Sequence, residues 1–313
     1  MSILITGAEG FVGRNLTEQF LSKDYSVLSP TLDELDLINS DDIKKYLESN
    51  PVETVIHCAT TARDGTSYPE NTCENNLRMF FNIQRLLNPS VKMINLGSGS
   101  EYSRTHWHQK MPEEFFDRHI PQDSHSYSKY LISKYIIDIN SANLVGLRIF
   151  GIYGKYEDYR YKFISNSIAK NLLKLPIVIN QNVIYDYIYI LDFFRVVEYF
   201  VNNHTKCGVF NVTPTKSIDL VTIADLVNQM SENKSDIRVL NEGIGVEYSG
   251  DNRKLISEIR DFDFMSYEEA ISDLYHYYKD KQSDLDPDAL EQDAYLQYAK
   301  NLRNEYFRKG NEK

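Results

Sequence analysis

Gly7, Gly10 and Gly13 stand at equal spacing in the run Ile5-Thr6-Gly7-Ala8-Glu9-Gly10-Phe11-Val12-Gly13, behind a short apolar stretch and ahead of a helical pattern. In that context the first glycine permits a tight turn, the second lets backbone approach a pyrophosphate, and the third lets the helix lie close on the strand. The anion would rest on unpaired N–H groups at the helix start. Gly7, Gly10, Phe11, Val12 and Gly13 are therefore expected to hold NAD or NADP. The choice between the two depends on the end of the second strand, where an acid accepts from a ribose 2′-hydroxyl or a basic group meets a 2′-phosphate. That stretch reads Leu28-Ser29-Pro30-Thr31 and contains neither. Arg14, directly after the last glycine, is the available phosphate partner and tilts the expectation to NADP.

No second chemical centre is suggested. Cys58, Cys73 and Cys207 have no C-x-x-C spacing and read as buried free thiols, not as a disulfide framework or a zinc site. His106, Trp107 and His108 fall together in the polar segment from Tyr102 to Ser124, which reads as a loop over a cleft with Trp107 as a lid contact. Without an acid pair or a second histidine cluster, no metal is expected there. Lys plus Arg of 34 against Asp plus Glu of 45 gives a net charge of −11, which repels nucleic acid and anionic lipid. An anionic ligand must then be held locally. There is no apolar run of the ~18 residues that a spanning helix needs, and no basic-then-apolar leader precedes the first strand. The expectation is a cytoplasmic protein.

Positioning the glycine loop requires an α/β scaffold, and the chain supplies its rhythm. Apolar stretches at 3–6, 25–29, 54–59, 92–96 and 144–149 alternate with helical spacing at 11–21, 40–47, 74–87 and 126–139. This predicts a Rossmann-like, doubly wound parallel sheet over 1–154, completed by parts of 183–215. Residues 155–280 read as a smaller C-terminal substrate lobe, with helices at 163–172, 191–201, 221–232 and 267–279 and a strand at 209–212. Residues 281–313 read as a linker and a terminal helix over 289–308. The cleft between the lobes is the expected ligand site.

The chain resembles the extended short-chain dehydrogenase/reductase family, which comprises the NAD-dependent epimerases, dehydratases and 4-ketoreductases of nucleotide sugars. The likeness is carried by Thr6 to Gly13, Val55-Ile56-His57-Cys58-Ala59, Asn95-Leu96-Gly97-Ser98, Ser128-Lys129, Leu147-Arg148 and the run from Asp186 to Asp192. It implies that Asp36 and Leu37 meet the adenine and that Ala59 lies beside the pyrophosphate or the nicotinamide ribose. It also implies a reacting group of a Ser or Thr, a Tyr, and a Lys four residues after the Tyr. A hydride moving between a sugar carbon and the nicotinamide requires a matching proton transfer at the oxygen. A phenol acidified by an ammonium, with a hydroxyl donor beside it, provides that. Ser98 matches the hydroxyl position.

Two registers compete for the other pair. Tyr130 with Lys134 has the spacing but leaves 14 residues to Arg148, whereas His125 with Lys129 leaves 19 and is followed by the small Ser126. The second register is preferred, with Lys129 also holding the cofactor ribose. It puts a histidine where the family has its tyrosine. An imidazole, with a reference pKa of ~6.5, can exchange a proton, and Lys129 beside it would favour the neutral form, a weak base. A space-filling, non-catalytic histidine is equally allowed.

Further departures narrow the expectation. The dehydratases' Asp-Glu pair is Gly99 and Ser100 here, which argues against 4,6-dehydration and leaves Ser100 as a substrate contact. The family's asparagine is Gly151 and its arginine is Tyr185, so Arg160, Lys162 and Arg253 become the candidate partners for the substrate phosphates. The reading is an NAD(P)-dependent 4-ketoreductase or epimerase of a nucleotide sugar in surface-polysaccharide synthesis. The alternative is a cofactor-binding but silent scaffold or sensor. Apolar residues on more than one face of 126–139 imply a homodimer through that helix and 74–87.

Overall fold

Alternation along β1 (Ser2–Thr6) divides the interior in two, because Ile3 and Ile5 join one apolar cluster and Leu4 the other. The structure is a computed structural model describing residues 1–63, 65, 67–203 and 207–301. After β1 come α1 (Phe11–Ser22), β2 (Ser26–Leu28), α2 (Ser40–Ser49), β3 (Thr54–His57), α3 (Thr72–Leu86), β4 (Lys92–Ser98), α4 (Ser124–Ile139) and β5 (Leu144–Ile149). β2 is shorter than the sequence suggests, and β4 runs on to Ser98.

Next come β6 (Gly151–Tyr153), α5 (Phe163–Leu172), β7 (Ile177–Asn182), β8 (Ile184–Tyr185), β9 (Tyr187–Tyr189), α6 (Ile190–Asn202) and β10 (Gly208–Val212). The described elements end with β11 (Ile218–Asp219), α7 (Leu220–Met230), β12 (Ile237–Ile244), α8 (Arg253–Ile259), α9 (Tyr267–Asp280) and α10 (Pro287–Gln292).

One parallel sheet in the order β10-β5-β4-β3-β1-β2 forms the doubly wound core. Its central strands are buried on both faces and read as continuous apolar runs for that reason. Leu16 and Phe20 of α1 and Val196 and Phe200 of α6 cover one face. Phe80 and Ile83 of α3 and Ile132 and Ile136 of α4 cover the other. Beyond β5 the sheet gives way to two-stranded pairs, β6 with β9, β7 with β12 and β8 with β11. α5, α7 and α9 pack together there.

The terminal helix differs from expectation. It breaks at Asp293, whose φ is +51°, and resumes over 294–301. The buried Lys170 Nζ, 2.5 Å from Asp293 Oδ2, pins the break to α5. The part of the predicted helix beyond residue 301 lies outside the described residues. The cysteines are free, as expected, but half-buried. No described helix is long and apolar enough to cross a membrane.

Where α1 leaves the sheet, contacts are close enough to dictate residue type. Gly7 has a φ of +65°, and a Cβ on it would lie 2.8 Å from the Ala59 backbone. A Cβ on Gly13 would lie 2.2 Å from the Gly7 carbonyl oxygen. Gly13→Ala is therefore expected to push the loop off its path, costing about 1–3 kcal/mol of stability and abolishing NAD(P)H binding. Thermal melting and a fluorescence titration with NADPH check both outcomes.

Candidate active site

The C-terminal ends of β1, β3, β4 and β5 open onto one crevice, where open α/β sheets bind ligands. Ser98 ends β4 and caps the 3₁₀ turn Gly99–Tyr102. Its Oγ accepts from Ser100 N at 3.2 Å and from Ser100 Oγ at 2.9 Å. The Glu101 carboxylate closes the capping box by accepting from Ser98 N at 2.8 Å. Its other oxygen accepts from Arg148 Nε at 2.7 Å. Glu101 is 0% and Arg148 1% exposed. Arg148 Nη1 also donates to Tyr102 Oη at 2.7 Å and to Asn211 Oδ1 at 3.2 Å. A buried ion pair thus holds the hydroxyl of Ser98 at the strand end.

α4 brings the second group. Asp123 caps the helix by accepting from Ser126 N, and Ser128 Oγ donates to the His125 carbonyl at 2.7 Å. Asn76 of α3 donates to Ser128 Oγ at 2.9 Å and accepts from Thr61 N at 2.8 Å, tying α4 to the segment after β3. Lys129 is buried and donates to the Leu96 carbonyl at 2.8 Å; burial lowers its pKa against the pull of Glu101 and Cys58. The His125 imidazole stacks face to face on Tyr68, with centroids 4.4 Å apart and planes 5° apart. Burial first, then Lys129, lowers its pKa to about 3, so the ring is neutral around pH 7. Tyr130 and Lys134 are both bonded to Asp117 and do not line the cavity.

A cavity of about 270 Å³ joins these pieces, with Ser98, Ser100, His125 and Lys162 in its wall. Trp107 lines it too, although the segment carrying it is not a plain loop. Three 3₁₀ turns, Gly99–Tyr102, Arg104–His106 and Glu113–Phe115, pack a small core of Tyr102, Met111 and Phe150. Two of the expected phosphate partners are elsewhere. Arg160 is gripped by Asp158 and Arg253 by Asp251, each an aspartate two residues earlier, and neither lines the cavity.

Arg63 and Arg104 line it instead. Arg63 lies over the Tyr68 ring at 4.8 Å and the Tyr298 ring at 5.2 Å and hydrogen-bonds both phenols. Arg104 hydrogen-bonds Tyr298 as well; burial alone would raise that phenol, but the two guanidiniums hold it below its ordinary value. Arg63 and Tyr68 come from a segment without periodicity, and Tyr298 from a terminal helix whose single apolar stripe demands only burial. No sequence signal singled them out. Glu157, 5% exposed, is the acid of the cavity wall, and burial raises its pKa to about 7 against Lys162 and the Ser165 hydroxyl.

The residues around the glycine loop fit a dinucleotide. α1 begins at Gly10 with no side-chain cap, which leaves its first N–H groups to a ligand. Ala59 adjoins the loop, donating from its N–H to Thr6 Oγ1 at 3.3 Å. Arg14 is half-exposed, over the Tyr156 ring at 3.8 Å. Asp36 accepts from Ile38 N, while the Leu37 side chain is buried in the sheet's second core. Among the described residues, no cluster of three His, Cys, Asp or Glu side chains could hold a metal.

Comparison with known proteins bears on this arrangement. The model of the NAD dependent epimerase/dehydratase family matches residues 3–213. ADP-L-glycero-D-manno-heptose-6-epimerase of Brachyspira hyodysenteriae is 24% identical over 267 residues, spanning 74% of this chain and 82% of that protein. GDP-L-colitose synthase of Yersinia pseudotuberculosis is 33% identical over 109 residues, 33% of this chain and 35% of that protein. A GDP-mannoheptose C4 reductase from Campylobacter jejuni, solved with NADP bound, shares the fold with a TM-score of 0.77 at 18% identity, covering 89% of this chain and 98% of that one.

Two stability measurements test this geometry. Glu101→Gln leaves Arg148 buried without a counter-charge and is expected to cost about 3–5 kcal/mol, read by denaturant unfolding. Glu157 is the reverse case, because its folded pKa of about 7 lies above the ordinary 4.5. The unfolded chain gives up that proton first, so the parent loses up to about 3 kcal/mol between those two pH values. Glu157→Gln is expected to gain on the parent as pH rises from 5 to 8, in melts run across that range.

Proposed function

The chain belongs to the NAD dependent epimerase/dehydratase family, and from that premise we propose that it is a 4-ketoreductase or epimerase of a nucleotide sugar, acting in surface-polysaccharide synthesis. The observation that carries the reading is the convergence of Ser98 and His125 on one cavity, with Lys129 buried behind them. Relatives named for heptose epimerisation, colitose synthesis and heptose reduction work on nucleotide sugars, and their chemistry suits this site. Gly7, Gly10, Phe11, Val12, Gly13, Asp36, Leu37 and Ala59 would hold NAD or NADP, which when bound would supply or accept a hydride. Arg14 favours the 2′-phosphate of NADP. Lys129 holds the cofactor ribose.

In this reading Ser98 donates to the sugar oxygen and polarises its bond to carbon, and Ser100 orients the sugar. In the reducing direction the neutral ring of His125, at the position of the family's tyrosine, has no proton of its own to give and relays one from solvent to the oxygen as the hydride arrives; in the oxidising direction it takes the hydroxyl proton. A neutral imidazole accepts that proton only as negative charge grows on the oxygen, which raises its basicity when it is needed. Arg63, Arg104 and Lys162 meet the diphosphate of the substrate. Exposed Tyr127, Ile137 and Ile139 on α4 form, with α3, the face of a homodimer.

A second reading has its own support. A Cβ on Gly151 would lie 2.6 Å from the Tyr187 ring, so the asparagine that the family resemblance implies does not fit there, and Tyr185 stands in the cavity wall where the resemblance implies an arginine. Together with the low basicity of His125, this favours a cofactor-binding protein that is silent as a catalyst. Rapid mixing of the NADPH-loaded protein with GDP-, ADP-, UDP- and dTDP-linked 4-keto sugars separates the readings. The catalytic one expects loss of nicotinamide absorbance with at least one sugar, and a drop of roughly 10²–10⁴-fold in His125→Ala. No change with any sugar, and a gain of turnover in His125→Tyr, would establish the silent one.

A further inference from the structure

The aromatic cluster beside His125 has no counterpart in the reading above. The His125 imidazole stacks on the Tyr68 ring, and the Arg63 guanidinium lies 4.8 Å from the centre of that ring and 5.2 Å from the centre of the Tyr298 ring. The cluster crosses three separate parts of the chain, namely the catalytic helix, the segment between β3 and α3, and the helix at 294–301. We propose that Tyr68 is a positioning residue whose ring fixes the His125 imidazole in plane and seals it from water. The inference rests on the reading of His125 as the group facing the reacting oxygen.

Geometry carries the argument. An imidazole turns about its Cβ–Cγ bond across a broad, two-fold torsional well, so packing and not a rotamer must set its plane. A hydrogen bond at Nδ1 does not set it, because that nitrogen is buried with no partner. The Tyr68 ring, parallel to within 5°, holds the imidazole in one plane. Arg63 hydrogen-bonds both Tyr68 and Tyr298 and so ties that ring to the helix at 294–301.

An imidazole is also shorter than the phenol that the family resemblance implies here, so a small tilt removes its nitrogen from the oxygen it must serve. The charges facing His125 act with the clamp. Lys129 on its own helix and Arg63 and Arg104 from the two adjoining segments oppose protonation, and Asp123 favours it. Stripped of the Tyr68 ring, the imidazole gains water, and the burial that keeps it neutral is relieved.

NMR on the full chain labelled at histidine Cε1 tests this, with His125→Ala identifying the resonance among the 7 histidines. In the parent, the His125 signal is expected to stay at its neutral position between about pH 5 and 8 and to show nuclear Overhauser contacts to the Tyr68 ring. Tyr68→Phe keeps the ring but gives up the Arg63 bond, and is expected to hold the midpoint closer to the parent's than Tyr68→Ala does. Tyr68→Ala is expected to move the midpoint up by at least about one pH unit. Overturning results are a folded Tyr68→Ala whose His125 titrates as the parent's does, a Tyr68→Phe that behaves like Tyr68→Ala, or no ring contacts in the parent. The last needs no variant to fold. Failure of the functional reading stays separate: a clamped, neutral His125 with no sugar turned over sinks the proposed activity, whereas turnover with a freely titrating His125 sinks the clamp.

Discussion

Arg148 of β5 and Glu101 of the turn after β4 meet where neither reaches solvent. Two charges taken out of water are costly, and such a pair persists only with good geometry and further hydrogen bonds. Here those bonds hold the site together. Glu101 accepts from the Ser98 backbone, and Arg148 reaches Tyr102 and Asn211. Asn211 of β10 in turn donates to the carbonyls of Met111 and Asp251 and accepts from Tyr102 Oη through its amide oxygen. One buried pair thereby sets the end of β4, the entry to the segment over the cleft and the approach of α8. Its worth lies in specifying one arrangement, since an apolar core would hold the strands but would not say where the Ser98 hydroxyl points.

The same segment is tied to the second lobe by another buried acid. Asp186, 0% exposed, accepts from Lys110 Nζ, Ser217 Oγ and Gly250 N. Arg104 and Trp107 are thus carried on a strap fastened at both ends, with Arg148 on one side and Asp186 on the other. The cavity wall they form is part of the fold. This rigidity suits a site whose groups must be placed to within a fraction of an ångström.

Electrostatics inside the cavity run opposite to those of the whole molecule. The chain carries a net charge of −11, yet Arg63, Arg104 and Lys162 line the cavity and Lys129 lies behind it, facing a single acid, Glu157, that burial keeps partly protonated. A local field of this sign draws an anionic ligand through a surface that repels it on average. It also keeps His125 neutral. The thiol of Cys58, pushed up to about 12 by burial despite Lys129, is inert in the same surroundings.

Residues close in sequence were legible because their interactions are local. The glycine spacing reads directly as a loop since the constraint is steric and lies within seven residues, and the strand and helix periods follow from which faces are buried. Ser98 and the pair His125 and Lys129 stand out as candidates through their spacing and family likeness, and the structure brings Ser98 and His125 to one wall. The capture of Arg160 by Asp158 and of Arg253 by Asp251 was equally local, a two-residue pairing that the sequence displays and that removes both cations from the cavity. Arg63, Tyr68, Arg104, Glu157 and Tyr298 belong to a different class. They come from four stretches between residues 63 and 298, and none has a pattern of its own. What joins them is the path of chain that returns over the crevice, and with it the burial, stacking and charge that give each side chain its chemistry. Those quantities exist only between distant segments, so tertiary structure alone decided them.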